Sequence, residues 1–324
     1  MIIQRSLTTI VALAALSFSL LAQPHIDLRP DRTVFFYAKD AKAAVAAVQN
    51  DPVMAKDVEA LGIPMQNSTG MDQHETIDKS GTMAGVSDYC RMDIYRPRNP
   101  SGKMVIVCPG GAYAILATYN EGLYPADWLV KQGVTVGVLK YRLPNGSWNA
   151  PLEDVHNAFK YIRSHADELG VSQVGIMGFS AGGHLAASGV VLYDDPVTRP
   201  DFGILVYPVV SMDVAITHAG SRYALLGKDT EGELVERFSC EKHVTPDTPR
   251  VFLALCFDDM VVSPLNSLRF YEACLRNKVN AEMHIYPRGV HGWGFNLQEY
   301  DMRDSIGYCR EEFLCSLSRW LESL

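Results

Sequence analysis

The second half of this chain carries, in order, a serine, an acidic pair and a histidine whose settings suit acyl transfer. Ser180 lies in GFSAG between Gly178 and Gly182, directly after the apolar run QVGIM. A serine hydroxyl is a weak nucleophile at neutral pH. It needs a histidine to take its proton, and that histidine needs a carboxylate to set its tautomer. LALCFDDMVVSP puts Asp258 and Asp259 just past a strongly apolar run, and HIYPRGVHGWGF puts His291 in a glycine-flanked loop past the next. Asp259 is taken as the acid and Asp258 as the alternative; the other of the pair then bonds a loop or caps the following helix. The reaction also needs backbone amides for the developing oxyanion. VCPGGAY supplies Gly111 and Ala112, and Ala181 follows the serine; their amides are assigned that role. Tyr113 and Trp293 flank the same point and are assigned to substrate contact, with core packing as the alternative for each.

A Gly-x-Ser-x-Gly alone is a weak signal, because a tight strand-to-helix turn has the same composition. The elements around it decide. From Ser87 onward, short β-branched runs alternate with longer amphipathic ones. YCRMDIYRP, KMVIVCPGG, VTVGVLKYRLP, QVGIMGFS, DFGILVYP, RVFLALCF and AEMHIYP read as seven strands. Helices are expected over YPADWLVKQG, PLEDVHNAFKYIRSHADELG, about Ala181–Leu192, about Pro264–Asn277 and about Arg303–Leu321. Such alternation, with strands apolar on both faces, predicts an α/β fold: a mostly parallel central sheet with helices on both faces. Ligands then bind at the carboxyl ends of the strands. Ser180, Asp259 and His291 all fall there, and a serine on a sharp strand-to-helix turn is the setting of a nucleophile elbow. His184, one helical turn on, is read as a packing or hydrogen-bonding residue and His156 as structural. His218 and His243 either line a pocket or are solvated.

The rest of the sequence bounds these readings. The 324 residues are 48% hydrophobic and carry a formal net charge of -8. An acidic chain without a basic block is not expected to bind nucleic acid or an anionic membrane. MIIQRSLTTIVALAALSFSLLAQ has a positive start at Arg5, an apolar stretch from Leu7 to Leu21 and a small residue, Ala22, before Gln23. It reads as a signal peptide over residues 1–22, which predicts export to the periplasm or the medium. Residues 23–86 form an N-terminal segment, partly helical, and residues 87–324 the catalytic domain, with an insertion at about 211–244. The seven cysteines are scattered without metal-type spacing, so neither a zinc site nor a disulfide framework is expected.

At these residues the chain resembles the α/β-hydrolase superfamily and, within it, secreted bacterial carbohydrate acetyl esterases of the acetylxylan esterase type. The resemblance runs over roughly Ser87–Leu321 and is carried by PGGAY, LKYRLP, PLEDVHNAFKYIR, GFSAGGHLAA, SRYALLG, TPDTPRVFLALCFDDMVVSPLNSLRFYEA and AEMHIYPRGVHGWGF. It implies an α/β-hydrolase fold and a serine esterase that removes acetyl groups from plant polysaccharide or oligosaccharides, with no metal and no organic cofactor. In that family the second aspartate of the pair is the triad acid, which is Asp259 here. Three positions depart from its pattern: Ala112 replaces a glycine, Ser263 a proline, and Val290 the glycine before the histidine. A feruloyl esterase, a peptidase of the same fold and an inactive carbohydrate-binding protein are the alternatives.

Overall fold

Lys103–Cys108 divides its side chains between two environments. Met104, Ile106 and Cys108 join one apolar core, Val105 and Val107 another, and all five are buried. A strand with apolar partners on both sides belongs inside a covered sheet. The computed structural model describes residues 28–36, 76–78, 81–86, 90–144, 147–227, 232–295 and 309–324. Among them are the strands β1 (Arg32–Phe36), β2 (Thr76–Ile77), β3 (Thr82–Ala84), β4 (Cys90–Tyr95), β5 (Lys103–Cys108), β6 (Ile115–Ala117), β7 (Thr135–Lys140), β8 (Gln173–Phe179), β9 (Phe202–Val206), β10 (Arg250–Cys256) and β11 (Ala281–Tyr286). Eight of them form one sheet in the order β1-β4-β7-β5-β8-β9-β10-β11. From β7 to β11 every neighbouring pair is parallel, while β4 runs antiparallel to both β7 and β1. A small antiparallel sheet holds β2, β3 and β6.

The helices are α1 (Tyr124–Lys131), α2 (Ala150–Ser164), α3 (Ala166–Leu169), α4 (Ser180–Val191), α5 (Ala219–Leu226), α6 (Glu233–Phe238), α7 (Leu265–Arg276) and α8 (Arg310–Glu322). Leu129 of α1 and Phe313 and Leu317 of α8 pack into the core that holds Val105 and Val107. Phe159 of α2, Leu185 of α4 and Phe270 of α7 pack into the other. Helices thus cover both faces, as the alternation predicts.

All seven expected strands form, as β4, β5 and β7 to β11. β1, in the N-terminal segment, falls outside the seven expected strands; its apolar run TVFF pairs antiparallel with β4 and extends the main sheet. β2, β3 and β6 are likewise outside the expectation: two or three residues are too few for a periodic pattern. The insertion carries α5, α6 and a 3-10 turn at Cys240–His243. The signal peptide and the helical reading of KDAKAAVAAVQNDPVMAKDVEALG both lie outside the described residues. All seven cysteines are free thiols; six are buried and Cys315, on α8, is exposed.

The strand register aligns the ends that matter. Cys108 pairs with Gly178, Phe179 with Val206, Val206 with Ala254, and Cys256 with Tyr286. Five parallel strands therefore release their chains along one edge, the edge where open α/β sheets bind ligands.

Candidate active site

Ser180 joins β8 to α4 with φ at +53°. An L residue pays strain for that backbone, and the close packing of its glycine neighbours holds it there. A Cβ on Gly178 would lie 2.1 Å from the Gly182 carbonyl oxygen, and one on Gly182 would lie 2.2 Å from that of Cys108. Side chains at either position would separate α4 from the sheet. The serine stands at the N-terminus of α4, where the first amides, that of Ala181 among them, have no partner within the helix.

The loops after β10 and β11 approach the serine along the same edge of the sheet. His291 Nε2 lies 2.8 Å from Ser180 Oγ, and His291 Nδ1 lies 2.7 Å from Asp259 Oδ2. The Val261 and Val262 amides each donate to Asp259 Oδ1 at 2.9 Å, so three contacts orient this buried carboxylate. Asp258 turns elsewhere and accepts the Val290 amide at 2.8 Å and the Gly289 amide at 3.3 Å. The acidic pair thus divides: one member faces the imidazole and the other holds the backbone of its loop. Val290 has φ at +50°, an outlying conformation for a β-branched residue.

The loop after β5 lies against the serine; a Cβ on Gly110 would come within 2.9 Å of Ser180 Cβ. The Gly110 amide donates to Glu121 Oε2 at 2.6 Å. The Gly110 carbonyl accepts from Ala117, and the Gly111 carbonyl from Ala114 and Ile115. The Gly110 amide is thereby committed to Glu121; the Gly111 and Ala112 amides follow it in this loop, and Ala181 follows the serine in α4.

Two assignments need correction. Tyr113 is 2% exposed and Trp293 0% exposed, so neither can touch a substrate. The Tyr113 hydroxyl lies 2.8 Å from His184 Nδ1, and its ring packs edge-on against Tyr141. Trp293 is sealed between Tyr207 and Phe313, with ring centroids 4.9 Å away on each side. Both aromatics stand beside the site in sequence and beneath it in space. His184 is a buried hydrogen-bonding residue, as expected: Nε2 meets the Phe238 carbonyl at 2.8 Å, and burial lowers its pKa to about 4. His156 pairs with Asp194 at 2.9 Å, and His243 meets the Glu236 carbonyl at 2.9 Å. His218 caps α5 through Ser221; burial, and then the nearby His291, hold its pKa below the ordinary value while Asp259 opposes them. The insertion therefore reaches the site.

Three contributors were not anticipated. Glu121 is buried in the turn Tyr119–Leu123 and accepts the Tyr207 hydroxyl at 2.8 Å on Oε1. Tyr207 Oη in turn accepts the Gly294 amide at 2.8 Å, and its ring lies 4.8 Å from that of His291. Asn120 Nδ2 donates to the Gly292 carbonyl at 2.8 Å, and the Phe295 amide donates to the Asn120 carbonyl at 3.1 Å. Tyr207 directly follows β9, so the strand-end rule that marks Ser180 would also have marked it. Nothing local marks Asn120 or Glu121.

Comparison with known proteins agrees with this architecture. The BD-FAE family model matches residues 92–197, and the prolyl oligopeptidase family model matches residues 145–313, just over half of the chain. An acetylxylan esterase of Xylanibacter ruminicola is 37% identical over 244 residues, 72% of this chain and 48% of that protein. Endo-1,4-beta-xylanase B of Butyrivibrio fibrisolvens is 34% identical over 58% of this chain and 32% of its own length. The chain thus spans about half and about a third of these two relatives. The crystal structure of an acetyl ester-xyloside bifunctional hydrolase from Caldicellulosiruptor lactoaceticus superposes with a TM-score of 0.61 at 30% identity, covering 72% of this chain and 88% of that one. The chain belongs to the α/β-hydrolase superfamily: the prolyl oligopeptidase family model spans Ser180, Asp259 and His291, and carbohydrate esterases are among its relatives.

Proposed function

We propose that this protein is an exported serine esterase that removes short acyl groups, foremost acetyl, from plant polysaccharide or its oligosaccharides. The carrying observation is the continuous line from Ser180 Oγ through His291 to Asp259, with contacts of 2.8 and 2.7 Å. Ser180 Oγ attacks the ester carbonyl while His291 Nε2 takes its proton. Asp259 stabilises the imidazolium that forms, and the Gly111, Ala112 and Ala181 amides receive the negative oxygen. The imidazolium then gives its proton to the departing sugar hydroxyl, which leaves an acetyl ester on Ser180. Water attacks that ester with His291 again as base, and acetate leaves.

The acetyl preference rests on the acetylxylan esterase and the acetyl ester-xyloside hydrolase among the relatives. The export reading rests on the apolar run Leu7–Leu21 before Ala22; N-terminal sequencing of secreted protein should find Gln23 first, and a retained Met1 sinks it. The prolyl oligopeptidase match makes peptide bonds the second substrate class to try.

A hydrolysis panel tests the reading: acetyl, butyryl and feruloyl esters, acetylated xylan oligosaccharides and a proline-containing peptide amide. Acetyl esters should be hydrolysed fastest, because one extra methylene in a tight pocket changes discrimination by about 1–3 kcal/mol. Ser180→Ala should stay folded and lose on the order of 10⁴- to 10⁶-fold in turnover. A folded Ser180→Ala protein with near wild-type activity overturns the nucleophile. Preference for butyryl, feruloyl or peptide substrates overturns the acetyl assignment.

A further inference from the structure

We propose that Glu121 is a positioning residue for the reaction: its buried carboxylate ties the oxyanion loop to the histidine loop. The proposal rests on the esterase reading above. The two loops follow β5 and β11, which are separated in the sheet by β8, β9 and β10. No ladder of strand hydrogen bonds therefore sets one loop against the other. Yet the chemistry requires both to address the same carbon at Ser180, the amides from one side and His291 Nε2 from the other.

A side-chain bridge spans that gap. The Gly110 N–H donates to Glu121 Oε2 at 2.6 Å, the Tyr207 O–H donates to Oε1 at 2.8 Å, and the Gly294 N–H donates to Tyr207 Oη at 2.8 Å. Gly110 immediately precedes the two assigned oxyanion amides, and Gly294 lies three residues past His291. Two of the three bonds go to the carboxylate itself, and such charge-assisted bonds are the stronger kind. Tyr207 also lays its ring 4.8 Å from the His291 ring, so one side chain contacts the imidazole and tethers its loop. Asn120, one residue earlier, adds bonds to Gly292 and Phe295 of the same loop.

Glu121 is 4% exposed. Burial pushes its pKa up, while the Tyr207 hydroxyl, the charge of His291 and the Gly110 amide pull it down. A polar group taken out of water must be bonded, and this one is bonded to the oxyanion loop directly and to the histidine loop through Tyr207. A shift of about 1 Å between reacting groups costs about 10²-fold in rate.

The test reads Ser180 directly, without a natural substrate. In a fluorophosphonate reaction Ser180 Oγ bonds phosphorus, fluoride leaves, His291 takes the serine proton, and the phosphoryl oxygen enters the oxyanion corner. The second-order labelling rate is compared between wild type and four variants, with thermal unfolding to confirm folding. Glu121→Ala should label about 100-fold more slowly and Tyr207→Phe about tenfold more slowly. Glu121→Gln should recover part of the Glu121→Ala loss: its amide oxygen can accept from Gly110 and its NH2 can donate to Tyr207 Oη, but the tyrosine proton then loses the acceptor that the carboxylate supplies. The double variant should be no slower than Glu121→Ala alone, since both changes cut one tether. If Glu121→Ala does not fold, Tyr207→Phe, which loses a single oxygen, carries the test. A wild-type chain not labelled at Ser180 overturns the esterase reading and this tether together. A labelled wild type with Tyr207→Phe reacting at the same rate overturns the tether alone, as does a double variant whose losses multiply.

Discussion

Ser180 and His291 meet at 2.8 Å, but the chain around each is held by different means. The serine turn is fixed by its neighbours in sequence and in the sheet: β8 enters it, α4 leaves it, and Gly178 and Gly182 pack backbone against backbone. The histidine loop has no strand beyond β11 to lean on among the described residues. It hangs from side chains of distant segments: Asp258 and Asp259 after β10, Tyr207 after β9, and Asn120 after β6. A turn held by backbone packing needs few particular residues. A loop held by side chains needs many, scattered along the chain, so single substitutions should uncouple it from the serine without unfolding the sheet.

The sharpest break in that comparison is at the acidic pair. Asp259→Asn should cost on the order of 10²- to 10⁴-fold in kcat/KM on a chromogenic acetyl ester, because the imidazole loses its orienting charge. Asp258→Asn, which loosens the backbone of the loop and leaves that charge in place, should cost about tenfold. The reverse ranking would make Asp258 the acid.

Next comes the floor beneath the loop. Trp293→Ala removes a fully buried ring and should cost about 3–5 kcal/mol of stability in urea unfolding. The ratio of acetyl to butyryl turnover should not change, since the indole does not reach the pocket; a changed ratio would put it there.

On the serine side, His184 offers a test through pH. Its folded pKa of about 4 lies below the ordinary 6.5. Between these values the unfolded chain takes up a proton that the folded chain refuses, so stability falls as pH drops from 6.5 towards 4, by about 3 kcal/mol. Asp154, raised by burial to about 6 against the pull of Arg142, works in the opposite sense between 3.8 and 6. It is common to wild type and His184→Asn and cancels between them. The stability gap between these two proteins, measured by urea unfolding, should narrow on acidification; a constant gap would leave His184 out of the acid response.

The smallest effect concerns strain. Val290 occupies φ +50° where the resembled family carries glycine. Val290→Gly should relieve backbone strain and add about 1 kcal/mol, or about 2 °C in Tm. No gain would mean that the Asp258 contacts already absorb that strain.

The same contrast explains what could be read in advance. Ser180, the pairing of strands and helices, and the placement of Asp259 and His291 at strand ends follow from patterns a few residues long. Tyr113 and Trp293 misled because nearness in sequence to a site says nothing of which way a side chain points. At φ +59° Tyr113 turns inward to His184, and Trp293 drops between Tyr207 and Phe313. Glu121 could not be read at all. Its meaning lies in Tyr207, 86 residues away, and in Gly110, and one sequence does not display such pairings.

The distribution of sulfur gives the molecule a built-in record of its own opening. Of seven free thiols only Cys315 faces solvent. Cys90, Cys108, Cys240 and Cys274 lie in the core on the α4 face, and Cys256 and Cys309 in the core on the α8 face. A maleimide added to the folded protein should therefore attach once, and each further attachment should mark a moment when one layer parts from the sheet. Counted by mass, loss of the α4 layer adds up to four labels and loss of the α8 layer up to two, so the order in which the layers let go is written in whole numbers.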